Sequence, residues 1–380
     1  MSRLSSGYKL GCLLIDNSVG LTGAFRSGLE IDVALGERVR VEWVLPSSAS
    51  QQIISALDER GHERHLVNFV EIGKSLDKLL MYFPTLFYNT IVLFGLVRRR
   101  NISLIIVNDY YNILGASLKF FGWRGRLITF IRLLPSGQQP LMSALWEWIA
   151  FRYSDEIIAV SHAVSNEVPA LRAKVIYDPI PEYTKGFLKP IRRSHGAVVR
   201  FLYLAHYVRG KGHMDAIASF ARLRATGVPC ELHMYGDHMD LIKNVRLKED
   251  LSLAAHSMGI SSSVHICGPI IDVEEEILSC DVLLNFSESE SFSRTCLEAG
   301  ALGRPVISTR CGGPEEIIED GVTGLLVPIG DVQQMYIAMR KLSLDRDLRL
   351  AMGISAFRLV REKFSRKLFE GKLVSLVEGL

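Results

Sequence analysis

Paired cysteines are missing from this chain. Its six cysteines, at 12, 230, 267, 280, 296 and 311, stand singly inside apolar segments with no CxxC spacing. That pattern excludes a disulfide framework and suits a reducing, cytosolic setting. None of the ten histidines makes a zinc-site spacing with a cysteine or a second histidine, so no bound metal is expected. Asp345-Arg346-Asp347 has the DxD spacing of some metal-dependent sugar transferases, but it lies between two helix-like segments and reads as a turn and helix cap. A GxGxxG fingerprint is also absent, which disfavours hydride transfer through a dinucleotide. Internal repeats and low-complexity tracts are lacking, and Met1–Gly11 is short and polar, unlike a secretory signal. Charge of one sign is scarce as well, at a formal net +3, and no nucleic-acid partner is expected. Residues 1–190 hold 21 Lys/Arg against 17 Asp/Glu, so the small positive excess is N-terminal.

What is present is apolar and strand-rich. With 380 residues and 48% hydrophobic content the chain is long enough for two domains. Strands are expected at Leu10–Ile15, Arg40–Leu45, Glu63–Val70, Leu104–Asn108 and Leu127–Leu133, with helical patterns between them. Asp178–Ala197 carries three prolines and no periodicity, as a linker does. A second alternation follows from Val199–Ala205 onward, and the region around Arg358–Glu378 reads as a final helix. Gly20 and Gly23, after the first strand, would let backbone approach a diphosphate or sugar, or would simply serve a tight turn. Leu79–Val97 has no charged residue and is closed by Arg98, Arg99 and Arg100. It reads as an ordinary core helix, as a helix lying in a membrane interface, or, by length alone, as a span.

The most informative stretch runs from Asp281 to Gly324. Its order is strand, helix, strand, helix, strand, half of a doubly wound sheet whose ligands bind beyond the carboxyl ends of the strands. Glu290 lies in the loop before the first helix, with Ser293 at the position of an N-cap, and Glu298 falls about five residues in. At about 1.5 Å rise per residue the two carboxylates stand ~8–12 Å apart, within reach of one ligand. An isolated pair at this spacing is more often a solvated loop residue and an exposed helix residue.

The flanking AGALGRPVIST, GGPEE and DGVTGLLVP segments make the pattern specific, and it resembles the retaining glycosyltransferases of family 4, with Glu290 and Glu298 as their E-x7-E signature. The resemblance covers most of the second half and the first half in outline. It implies an α/β GT-B fold, with two Rossmann-like doubly wound domains facing an interdomain cleft. Residues 1–185 would form the acceptor-binding domain, 186–358 the nucleotide-sugar domain, and 359–380 a helix returning to the first domain. The implied reaction transfers a sugar from a nucleotide-diphosphate sugar, UDP-linked rather than GDP-linked, to a hydroxyl of a glycan or lipid-linked acceptor. No cofactor or metal would be needed.

Residue by residue, Glu298 would hold the ribose, Glu290 the donor sugar, and Lys211 with Arg209 or His206 the diphosphate. Gly268 would help recognise the base, and Ser291, Phe292, Ser293, Arg294 and Thr295 would line the donor site. Gly20, Gly23 and Arg132 would face the cleft on the acceptor side. Four positions depart from the family pattern. His206 replaces an arginine, which would have been a permanent cation. Arg132 takes the place of a histidine, and Ser291 and Ser293 give ESFS where EGFG is common. Glycine there would permit close ligand approach or a positive φ. A GT-B-shaped binding protein without transfer activity is the alternative those departures leave open, and an epimerase of similar shape would not explain the spacing. On the interfacial reading, the apolar 79–100 segment would make peripheral contact with the inner face of the membrane; the expected location is cytoplasmic.

Overall fold

In the computed structural model residues 10–69, 76–183, 198–237, 242–270 and 272–378 are described. The chain divides into two compact units, Met1–Asp178 with Lys367–Leu380, and Pro179–Arg366. Most of the stretch read as a linker, 184–197, lies outside the described residues.

The first unit is built on seven strands: β1 (Leu10–Ile15), β2 (Val39–Pro46), β3 (Arg64–Val67), β4 (Ile102–Val107), β5 (Arg126–Ile131), β6 (Glu156–Ala159) and β7 (Lys174–Val175). They lie side by side in the order β3-β2-β1-β4-β5-β6-β7, every pair parallel. Sequences such as ISLIIV in β4 are near-continuous apolar runs because a parallel sheet is covered on both faces. The second unit repeats the plan with β8 (Val199–Leu204), β9 (Cys230–Tyr235), β10 (Val264–Ile266), β11 (Val282–Asn285), β12 (Val306–Thr309) and β13 (Gly324–Val327). Its order is β10-β9-β8-β11-β12-β13, again wholly parallel. In each unit the strand order reverses beside the first strand, between β1 and β4 and between β8 and β11. Loops leaving the carboxyl ends of such a pair diverge to opposite faces and leave a crevice for ligand.

The core of the second unit includes the fully buried Phe201, Phe220, Leu232, Phe286 and Met339. Each such side chain stabilises the fold by about 1.5–3 kcal/mol relative to exposure. Several helix starts are capped by a short polar side chain that precedes them. Thr22 Oγ1 accepts from Phe25 N (3.2 Å), Ser161 Oγ from Val164 N (3.1 Å) and Asp345 Oδ1 from Leu348 N (2.8 Å). Asp345 of the DxD sequence is therefore a cap. The C-terminal region is two helices rather than one, Arg346–Lys363 and Arg366–Val377, with Phe364 ending the first.

The uncharged segment forms the helix Leu76–Arg99. Its stretch from Leu80 to Arg99 is long and apolar enough to cross a membrane, at a mean hydropathy of 1.6. Yet one face packs on the sheet, where Leu93, Leu96 and Val97 join Ile102, Ile105 and Leu127 in the core. The opposite face leaves Leu80, Met81, Phe83, Phe87, Tyr88 and Ile91 more than half exposed. An ordinary core helix would bury that face, so the core-helix reading holds for one side only.

Candidate functional site

Three loops leave the carboxyl ends of β8, β11 and β12 and meet. The loop after β8 turns through Gly210 and Gly212, both at positive φ. At Gly212 a Cβ would lie 1.9 Å from the carbonyl oxygen of Phe286, so only glycine allows this approach. The turn is tied down from below by Tyr203 on β8, whose hydroxyl donates to the Lys211 carbonyl and accepts from Phe286 N (3.0 Å). Glu288 N donates to the Gly210 carbonyl at 2.8 Å. Lys211 thereby arrives beside Glu290, and its Nζ donates to Oε1 at 2.7 Å. Ser287 Oγ donates to the same oxygen, also at 2.7 Å.

The backbone of Glu290 is held by the loop after β12. Its N–H donates to the Cys311 carbonyl (2.9 Å), and its own carbonyl accepts from Gly313 N (2.8 Å). A Cβ at Gly313 would sit 2.3 Å from Phe292 Cα, and Gly312 has a φ of 105°, which together explain the glycine pair in RCGGP. Phe292 is buried and packs edge-on against Phe364, ring centroids 5.5 Å apart.

Ser293 precedes the helix Arg294–Ala301 but does not cap it with its side chain. Its hydroxyl instead accepts from Asn285 Nδ2 at 2.7 Å, and its φ of 67° is left-handed. The positive φ gives a physical reason for glycine at this place in EGFG, and the Asn285 contact is what the serine gains in exchange. Thr295 Oγ1 lies 3.4 Å from Ser293 Oγ. Glu298 is 4% exposed, so the solvated-helix reading of that residue fails. Its Oε1 lies 3.7 Å from Arg294 Nη2, and the two glutamates thus have separate cationic neighbours. Arg209 is exposed, His206 and Ser291 are half-buried, and Gly268 follows β10, where its carbonyl accepts from Gly236 N (3.2 Å).

Among known proteins, residues 190–358 match the family model described as glycosyl transferases group 1. The chain is a glycosyltransferase whose second half is similar to that family. Over 357 residues the transferase is 26% identical to N-acetyl-alpha-D-glucosaminyl L-malate synthase of Bacillus anthracis, which covers 85% of this chain and 90% of that protein. It is 40% identical to the D-inositol 3-phosphate glycosyltransferase of Corynebacterium jeikeium, over 28% of this chain and 26% of that one. Its fold is similar to that of Anabaena HepE, solved in complex with UDP-glucose, with a TM-score of 0.81, 17% identity and coverage of 98% and 100%.

In the first unit of the transferase, Arg132, expected to face the cleft, is held by partners inside that unit. It is 6% exposed and bonded to Asp178, Nη1 lying 2.9 and 3.1 Å from the two carboxylate oxygens. Ser27 Oγ donates to Asp178 Oδ2 (2.6 Å), and Arg132 Nε donates to Asn108 Oδ1 (2.7 Å). Asn108 Nδ2 in turn donates to Asp16. A buried cation paired in this way serves the fold, because its desolvation is repaid only by a partner in place. Burial pushes the neighbouring Asp109 up to about 7, opposed by the Arg132 backbone N–H and guanidinium. Gly23 opens the helix Gly23–Leu35, and a Cβ at Gly20 would meet nothing within 4 Å.

Reading the sequence missed Tyr203, Asn285, Asp178 and His213. Asp178 looked like part of the linker, and Tyr203 and Asn285 looked like ordinary strand residues. His213 is 3% exposed, with its ring 5.2 and 5.3 Å from those of Tyr203 and Tyr207. Its Nε2 lies 3.4 Å from the Ala205 carbonyl. Burial lowers its pKa from 6.5 to about 4, with Lys211 adding to the effect and the Ala205 carbonyl opposing it. Between those values the unfolded chain binds a proton that the folded one does not. The associated stability is therefore full above pH 6.5 and is lost as pH falls toward 4, by up to about 3 kcal/mol. Urea unfolding at several pH values should show this slope in the native transferase and a shallower one in His213→Phe. An identical slope in both would contradict the assignment.

Proposed function

We propose that this transferase is a retaining enzyme of family 4 that moves a sugar from a UDP-sugar to a hydroxyl of a glycan or lipid-linked acceptor. The observation that carries the reading is Lys211 held against Glu290 at the carboxyl ends of β8 and β11. Breaking the bond between the anomeric carbon and the diphosphate sends the electron pair to the leaving phosphate, so catalysis needs cations already in place there. Lys211 moves from Glu290 to the diphosphate when donor binds, and Arg209, exposed in the same loop, supplies a second charge. Glu290, released from the lysine, accepts hydrogen bonds from the donor sugar. Glu298 holds the ribose. The acceptor hydroxyl attacks the face that the phosphate leaves, giving retention, and its proton passes to the phosphate oxygen. No step in this scheme needs a metal ion.

The choice of UDP draws on HepE, which was solved with UDP-glucose. A relative named for lipopolysaccharide core biosynthesis supports an acceptor of the surface-glycan or glycolipid class, whereas one named as an L-malate synthase shows that relatives also glycosylate small molecules. Calorimetric titration with UDP and GDP tests the donor site. Micromolar binding of UDP, weakened at least about tenfold in both Lys211→Ala and Glu298→Ala, is the expected result; tenfold corresponds to about 1.4 kcal/mol. Equal affinity in the variants, or preference for GDP, would overturn it.

The exposed face of the helix Leu76–Arg99 is proposed to rest on the inner surface of the membrane, with Arg98, Arg99 and Arg100 at headgroup level. Phe83, Phe87 and Ile91 are the side chains that enter the lipid boundary, whereas Leu93 is committed to the core. Co-sedimentation with anionic vesicles should be lost in a Phe83→Ser, Phe87→Ser, Ile91→Ser variant. Undiminished co-sedimentation would remove this surface from the account.

A further inference from the structure

We propose that Glu231, His233 and His265 form a binding site for a borderline divalent transition metal, with Zn2+ the expected occupant. Glu231 and His233 are two residues apart on β9 and so point to the same face of the sheet. His265 stands on β10 directly across from His233 in the parallel register. The two imidazoles stack with centroids 4.3 Å apart and planes 28° from parallel. Glu231 Oε2 lies 3.1 Å from His233 Nε2, and one donor atom from each of the three residues falls within 4.8 Å of the others. A tetrahedral ion with bonds of about 2.0–2.1 Å needs its ligands roughly 3.4 Å apart, so small side-chain rotations close the site.

The surroundings can accommodate a cation. Glu231 has 42% of its side chain exposed and can swing onto an ion, while His233 is held at 16%. Arg200, opposite Glu231 on β8, is already engaged by Glu276 at 2.6 Å, so its charge is balanced locally. Two imidazoles and one carboxylate suit Zn2+, Ni2+ or Cu2+ rather than Mg2+ or Ca2+, with water in the fourth position.

The site has a structural consequence. β10 has three residues and lies at the sheet edge, paired to β9 alone. A metal bridging His233 and His265 cross-links the two strands just before Gly236 and Gly268, whose backbones are joined at their carboxyl ends. The ion therefore rigidifies the turn after β10 without entering the chemistry at Lys211 and Glu290. This inference does not depend on the donor assignment above.

Chelator-treated full-length protein titrated with Zn2+ and with Co2+ provides the test. One equivalent should bind, with visible cobalt absorption of a tetrahedral nitrogen and oxygen site and no thiolate charge-transfer band. His233→Ala with His265→Ala should abolish binding. Glu231→Gln, which keeps the ring stack, should weaken it by more than about tenfold, since even outer-shell changes cost metal sites that much. His65→Ala, in the separate Glu42, Glu63 and His65 cluster, should change nothing. Failure of the native protein to bind saturably, binding that survives loss of both histidines, or a thiolate band pointing to Cys267 would each overturn the proposal.

Discussion

A lysine ammonium held 2.7 Å from a carboxylate, with 29% and 17% of the two side chains exposed, is neither a solvated surface pair nor a sealed one. It can exchange partners. Everything described around Lys211 and Glu290 in the second unit serves to hold that arrangement. Tyr203 and the glycine at 212 fix the lysine's turn, and the loop after β12 fixes the backbone of Glu290. Ser287 shares the carboxylate oxygen that the lysine occupies. Because all the strands are parallel, their carboxyl ends lie on one edge, and loops distant in sequence are delivered to one place.

The first unit has the same strand plan and uses its strand ends differently. There the charged group, Arg132, is closed in by Asp178 and Asn108, in a network that also holds Ser27 and Asp16. Removing either member of a buried pair leaves the other uncompensated, at a cost of about 3–5 kcal/mol. The first unit thus commits a cation to its own integrity after β5, whereas the second unit keeps one exchangeable after β8. Ser293 of ESFS shows a similar substitution of internal bonding for openness, since it accepts a left-handed φ and binds Asn285.

Much of the fold was legible because its signals are periodic and local. Apolar runs bounded by glycine and polar breaks marked the strands from Leu10–Ile15 to Gly324–Val327, and their alternation with helices implied parallel sheets. The sequence singled out Glu290 and Lys211 from separate stretches, and the structure brings the two side chains together. Long-range pairings stayed hidden. Nothing local says that Asp178, at the start of a proline-rich stretch, will reach Arg132, or that burial will hold His213 neutral. His233 and His265 are 32 positions apart with no metal-site spacing, and only the pairing of β9 with β10 brings them together. The helix Leu76–Arg99 was ambiguous for a different reason. Composition reports how apolar a helix is, whereas packing decides which face the sheet covers.

The central claim is that Lys211 leaves Glu290 for the donor diphosphate. Comparing the affinities of uridine and UDP in the native protein and in Lys211→Met measures this most directly. The account predicts that the diphosphate increases affinity strongly in the native protein and that most of this gain disappears in the variant, while uridine binding stays the same. A gain from the diphosphate that is as large without the lysine would contradict it.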